Sequence, residues 1–127
     1  MKVAVLILVL CPLFSFSQPK KIRTLQVSDT IAFAAVDRPG ELYIVTKSGQ
    51  LQKFDKDGTL LNLLKPKNTV TLFEPRDGAR LFAFVRELRQ YWIMNPSFEV
   101  NTVFELDSAF AIDPWLICSS GDHNLWV

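Results

Sequence analysis

Between Gly40 and Gly58 three glycines fall nine residues apart, and apolar residues alternate with polar ones in the intervals. That spacing predicts a β-meander. Glu41 to Lys47 supplies β-branched and aromatic residues, Ser48-Gly49 is a turn pair, and Gln50 to Phe54 sets Leu51 and Phe54 among polar neighbours. Asp55-Lys56-Asp57-Gly58 then makes a second turn, with Gly58 suited to a positive φ that other residues resist.

Strands are expected on either side of this stretch. Ile31 to Val36 is the first, closed by Asp37-Arg38-Pro39-Gly40, and its Ala32, Ala34 and Ala35 allow the close backbone approach needed where strands converge on an axis. Strands at about 41–47, 50–55 and 59–64 follow, and Pro66, which cannot donate to a ladder, stops the last. The pattern then restarts. Leu42-Tyr43 behind its polar turn is echoed by Leu81-Phe82 thirty-nine residues later and by Leu125-Trp126 a further forty-four on. Between these points lie four more candidate strands, Val70 to Phe73, Leu81 to Val85, Gln90 to Met94 and Glu99 to Leu106, with Asn95-Pro96-Ser97 in the turn matching Asp55 to Gly58.

Four short strands repeating every 40 to 45 residues or so is the arithmetic of a β-propeller blade. A β-sandwich or open barrel has similar strand spacing and stays the alternative, although neither explains the recurring turn-Leu-aromatic unit. The expected fold is all-β, with four-stranded antiparallel meanders as blades at about 31–66 and 69–107 and an incomplete one at 114–127. Phe33-Ala34-Ala35-Val36-Asp37, Gly40-Glu41-Leu42-Tyr43-Ile44-Val45 and Gln52-Lys53-Phe54-Asp55-Lys56-Asp57-Gly58 together resemble a blade of NHL-type or related six-bladed propellers. Leu125-Trp126-Val127 is similar to a phrase near the second strand of blades in secreted bacterial propeller proteins. The resemblance is close in the first blade and loose in the second. It implies a rigid disc that presents loops to a partner, and it carries no catalytic residue onto these positions. A ring generally needs four to eight blades, so the chain reads as an N-terminal piece of a longer protein.

The first seventeen residues are expected to stand outside the fold. Met1-Lys2 is a positive start, Val3 to Leu10 is a continuous apolar run, and Ser15-Phe16-Ser17 puts small residues where a signal peptidase reads, which places cleavage after Ser17. Residues 18–30 form a polar leader, and 31–127 the propeller domain. The apolar run is shorter than the roughly 20 residues of a membrane-spanning helix, so the reading is export to periplasm, cell surface or medium, with no transmembrane anchor in the mature chain. Without Lys2 the fourteen basic residues become thirteen against thirteen acidic ones, and Lys20-Lys21-Ile22-Arg23 is the one basic cluster. Nucleic acid is therefore not an expected partner.

No catalytic, cofactor or metal site emerges. Cys11 falls in the signal peptide behind Leu10, where acylation would require a small residue, which leaves Cys118 without a disulfide partner in an apolar run read as a buried strand. Cys118 and His123, with Asp122 to orient the imidazole, have no oxyanion donor and no specified geometry. One His and one Cys fall short of a closed zinc site. Asp55-Lys56-Asp57-Gly58 opens like a calcium loop, but Pro66 stands where an EF-hand needs its bidentate Glu. Arg76, Arg80, Arg86 and Arg89 read as paired or solvated surface groups. The aromatics Phe33, Tyr43, Phe54, Phe73, Phe82, Phe84, Trp92, Phe104 and Trp126 read as core between blades. The functional expectation is a non-enzymatic scaffold that binds a protein, peptide or glycan through loops on one face. The alternatives are a catalytic propeller (lyase or hydrolase) with its active residues in blades beyond this chain, and a structural envelope component.

Overall fold

In the computed structural model, which describes residues 23–76, 78–109, 111–120 and 124–127, the turns set the course of the chain. Asp37 receives the Gly40 and Glu41 N–H groups on Oδ1 at 2.9 and 2.8 Å, while its carbonyl accepts from Gly40. Asp55 does the same for Asp57 and Thr59 (2.9 and 2.7 Å), and Asn95 for Ser97 and Glu99 (2.9 and 3.0 Å). In each the fourth residue lies in the left-handed region: Gly40 at φ 95°, Gly58 at 78° and Phe98 at 67°. This is a type I turn ended by an αL residue, a three-residue hairpin loop. Asp and Asn suit its first position because a short side chain with an oxygen acceptor satisfies two otherwise orphaned N–H groups.

The turns link two four-stranded antiparallel sheets, each in sequential order. The first contains β1 (Ile31–Val36), β2 (Leu42–Thr46), β3 (Leu51–Phe54) and β4 (Leu60–Leu64). The second contains β5 (Leu72–Glu74), β6 (Leu81–Val85), β7 (Gln90–Met94) and β8 (Val100–Glu105), with one 3-10 turn at Arg86–Leu88. A short hairpin, β9 (Cys118–Ser119) and β10 (Leu125–Trp126), follows. The eight sheet strands coincide with the expected meanders to within two residues at either end. Antiparallel all-β architecture is thus the fold class, and among the described residues no helix is long and apolar enough to cross a membrane.

Strand alternation assigns the faces. The pairs Tyr43↔Lys53, Val45↔Leu51 and Leu51↔Leu64 put Tyr43, Val45 and Leu51 on one side of the first sheet. Leu81↔Met94, Ala83↔Trp92 and Phe73↔Ala83 do the same for one side of the second. These two faces meet in the larger core, where Tyr43, Phe73 and Phe98 form a ring cluster with centroids 5.6 to 6.5 Å apart. The opposite side of the second sheet carries Phe82 and Phe84, and they are buried with Ile117, Leu106 and Leu125 in a second core beneath the hairpin. The second sheet is therefore covered on both faces, with the first sheet behind it and β9–β10 in front. At roughly 1.5–3 kcal/mol for each large side chain buried, both contacts favour this stacked order.

Two expectations are corrected. Phe33, Phe104 and Trp126 are exposed instead of packed between layers: Phe33 lies on an edge strand, and Trp126 is on the outward side of the hairpin. Trp115 to Cys118 is not a buried strand, because Ile117 alone turns inward and its neighbours Leu116 and Cys118 face solvent. On the side of the first sheet away from Tyr43, Ile44 and Phe54 are buried too. Edge strands do keep apolar side chains exposed, Ile31 and Val36 on β1 and Leu60, Leu61 and Leu63 on β4 among them.

Candidate functional site

Sequential antiparallel strands sort the connections into two ends of the stack. At one end are the turns β1–β2, β3–β4, β5–β6 and β7–β8; at the other are β2–β3, β6–β7 and the links between sheets. The first end is locked by a buried polar network. The Tyr43 hydroxyl donates to Asp37 Oδ2 at 3.1 Å, and the Lys53 ammonium, 6% exposed, pairs with Glu41 at 2.6 Å and reaches the Pro96 carbonyl at 3.5 Å. Lys53 Nζ also stands 5.6 Å from the Tyr43 ring centroid. Burial, helped by the hydrogen bond to Asp37, pushes the Tyr43 phenol far above its ordinary value, so it remains a donor. Gly78 at φ 78° lies directly on the Asp37 carboxylate, and a Cβ there would collide with Oδ2. With every group engaged and the second sheet's turn closed over it, this network holds the two sheets in register and offers no open chemistry.

The other end is different in character. Arg86 grips Asp113 with Nε and Nη2 at 2.7 to 3.2 Å, and its guanidinium lies 3.5 Å from the Trp115 ring centroid. Arg89, at φ 54°, donates from Nη2 to the carbonyls of Ala111 and Leu106 at 2.7 and 3.4 Å. These two arginines pin the link between β8 and β9 across the β6–β7 turn. The pinned link holds Ile112, Trp115 and Leu116 outward, all strongly exposed. An indole fixed on one face by a guanidinium and open on the other is a preorganised contact surface. Of the four arginines singled out from the sequence, Arg76 pairs with Glu74 at 3.0 Å and Arg86 with Asp113, while Arg89 holds carbonyls. The role of the 111–116 link escaped sequence reading, because its ordering comes from contacts more than twenty residues away.

A third feature joins the layers. Ala32 and Phe33 of β1, Leu72 and Phe73 of β5, and Ile117 and Cys118 at the start of β9 line one cleft of about 510 Å³. The first strand of each layer thus borders the same space, and the small Ala32 permits the approach. Cys118 stands exposed at its edge, contrary to its expected place inside. Its proposed companions Asp122 and His123 lie outside the described residues, as do the signal segment, Lys20, Lys21 and Cys11. Asp55 forms the expected turn, with Oδ1 taken by two backbone N–H groups. Among the described residues no three His, Cys, Asp or Glu side chains gather into a metal-sized group.

No protein-family model matches the chain, and no curated protein sequence shows significant similarity to it.

Proposed function

We propose that the two sheets and the hairpin are successive blades of an exported β-propeller, resembling the NHL type, that acts as a non-enzymatic scaffold and binds a protein, peptide or glycan through one end of its stack. The observation that carries this reading is the double covering of the second sheet. A two-layer sandwich buries one face of each sheet, whereas the Leu81 side and the Phe82 side are both buried here. The shared border of β1, β5 and β9 on one cleft supports the same reading, since first strands line the axis of a propeller.

The binding surface is the end that carries Arg86, Asp113 and Trp115, with Ile112 and Leu116 beside them. Exposed apolar side chains on a pinned backbone lose little entropy on contact, which is what a recognition surface requires. Immobilised peptide and oligosaccharide panels test this, with Trp115→Ala and Leu116→Ser as variants. Retention of a defined peptide or glycan set, reduced at least tenfold by either variant while thermal unfolding is unchanged, is the expected result. Retention unaffected by both variants removes the surface from the proposal. Export is checked by sequencing the N-terminus of protein recovered from envelope or medium, where Gln18 is expected to come first.

A further inference from the structure

The segment ahead of β1 runs over the first sheet without joining it. At one end the Thr30 carbonyl accepts from the Lys47 N–H at 2.8 Å, while Asp29 receives the Ser48 N–H on Oδ2 at 3.0 Å and the Thr30 N–H on Oδ1 at 2.6 Å. At the other end Leu25 and the stem of Arg23 lie against Gly58, so closely that a Cβ on the glycine would stand 2.6 Å from Leu25 Cδ2 and 2.8 Å from Arg23 Cδ. The first anchor is the β2–β3 turn and the second the β3–β4 turn, so the residues between them cross β3, a central strand. Four extended steps reach about 13 Å, the length of a four-residue strand such as β3. The front of β3 is filled by Leu51 in the larger core. The crossing is therefore on the rear side, where Ile44, Gln52 and Phe54 are 3 to 6% exposed. Burial alternates along the segment: Leu25, Val27 and Asp29 are half-buried, and Thr24, Gln26 and Ser28 are exposed.

We propose that residues 23–30 form a hinged strap, fixed at Asp29 and Thr30 and releasable from Arg23 to Val27, that closes the rear face of the first sheet and uncovers it on opening. The two ends are held unequally. The hinge has three hydrogen bonds, and the one from Lys47 to Thr30 extends the β1–β2 ladder beyond Ile31↔Thr46. From Arg23 to Ser28 no hydrogen bond joins the segment to other described residues. Its hold there is side-chain packing, with a longer-range attraction between Arg23 and the Asp55 carboxylate of the β3–β4 turn. An element with few buried contacts and no backbone pairing opens at a fraction of the free energy of global unfolding. The strap is also narrower than the face it covers. Val36 on β1 and Leu60 and Leu63 on β4 share the rear side, through the pairs Val36↔Leu42, Leu42↔Phe54, Phe54↔Leu60 and Gln52↔Leu63, and stay 47 to 62% exposed. Opening adds Ile44 and Phe54 to these side chains and turns a divided surface into one continuous apolar face. The strap thus sets how much of that face the protein shows. The inference is independent of the blade reading, since a strap shuts the end of any stack of sheets.

Thiol labelling of the 127-residue chain, resolved by peptide mapping, reads the strap directly. The thiol of Gln52→Cys lies beneath the strap, and the exposed Cys118 of the same molecule sets the unhindered rate. Labelling at position 52 should be at least tenfold slower than at Cys118. Adding Leu25→Asp with Val27→Asp should speed it at least tenfold, and Arg23→Glu, which sets a carboxylate toward Asp55, several-fold. Arg23 is exposed, so its substitution leaves a folded protein even where the paired aspartates do not. Thr24→Asp with Gln26→Asp puts the same charge on the outer side and should leave the rate unchanged. The thiol of Ala83→Cys, sealed in the second sheet, reports global unfolding and should stay slow in every background. A rate at position 52 that equals that of Cys118 in the parent background, or that neither Arg23→Glu nor the paired aspartates change, overturns the proposal. So does an acceleration that Ala83→Cys shares, which assigns it to unfolding, or one that the outer-side pair reproduces.

Discussion

The same residue position meets opposite fates in successive layers of this protein. Tyr43, Phe82 and Trp126 each follow a leucine at the start of the second strand of their layer, and each points to the forward side of that layer. Tyr43 is 1% exposed, Phe82 2% and Trp126 67%. The first two are covered by the next layer; beyond β10 no further layer is described. The difference teaches that burial at this position follows whether a further layer stands in front of it. A single sheet has little means of sheltering its own forward face.

The largest expected effect follows directly. Tyr43→Ala should cost about 3–5 kcal/mol in urea unfolding, since it empties a well-packed site and leaves the Asp37 carboxylate short of a donor. Phe82→Ala should fall at the lower end of that range, because Phe82 also lines an open cleft between the second sheet and the hairpin. Trp126→Ala should stay within about 0.5 kcal/mol of the parent. Equal losses at all three positions would break the comparison.

Next comes the contact between turns. Gly78→Ala should cost about 2–4 kcal/mol, combining the strain of a left-handed Cβ with a collision against Asp37. Gly40→Ala, with open space around its Cβ, should cost only about 1 kcal/mol from conformation alone. If the two glycines prove equivalent, the Asp37 network does not join the sheets. Phe98→Gly sharpens the point from the other side. It relieves left-handed strain but removes a buried ring from the Tyr43–Phe73 cluster, for a net loss of about 2 kcal/mol.

Much of this fold was legible in the sequence because its information is local. Asp55 and Gly58 announce their turn by residue type, and the β-branched and aromatic run from Leu42 to Thr46 announces a strand. Phe98 gave no such signal: a bulky residue in the left-handed region is held there by the rings around it. The candidate surface was harder for the same reason. Trp115 and Leu116 look like core by composition, and only the grip of Arg86 on Asp113 and of Arg89 on the Ala111 carbonyl turns them outward. That Leu125-Trp126 would lie on a strand was anticipated. The exposure of Trp126 was not, because it depends on what stands beyond the hairpin.

A smaller effect is expected at the pinned link. Arg86→Ala should cost no more than about 1 kcal/mol, since the pair with Asp113 is partly solvated and screened by salt. The sharper readout is optical. Loss of the guanidinium against Trp115 should change the indole's emission and quenching, while unfolding in urea barely moves. An unchanged spectrum would mean that Arg86 does not hold Trp115 in solution.

The smallest effect separates two turns that share one geometry. Asp55 caps the β3–β4 turn and Asn95 the β7–β8 turn, through the same pair of backbone N–H groups. Only Asp55 titrates. The hydrogen bond from the Thr59 N–H, with that from Asp57 behind it, holds its carboxyl below the ordinary 3.8, and hydrogen bonds from Ser48 and Thr30 do the same for Asp29. A folded value below the unfolded one means stability that is fully present above the unfolded value and lost as pH falls through the folded one. Acidification below about pH 4 should therefore speed amide exchange at Thr59 before it does so at Glu99, whose turn is capped by a neutral amide. Asp55→Asn should erase that difference while leaving the turn intact, because the amide oxygen accepts the same two bonds. Parallel acid responses at Thr59 and Glu99 in the parent protein would show that charge contributes nothing to the β3–β4 turn and that its capping is purely a matter of acceptor geometry.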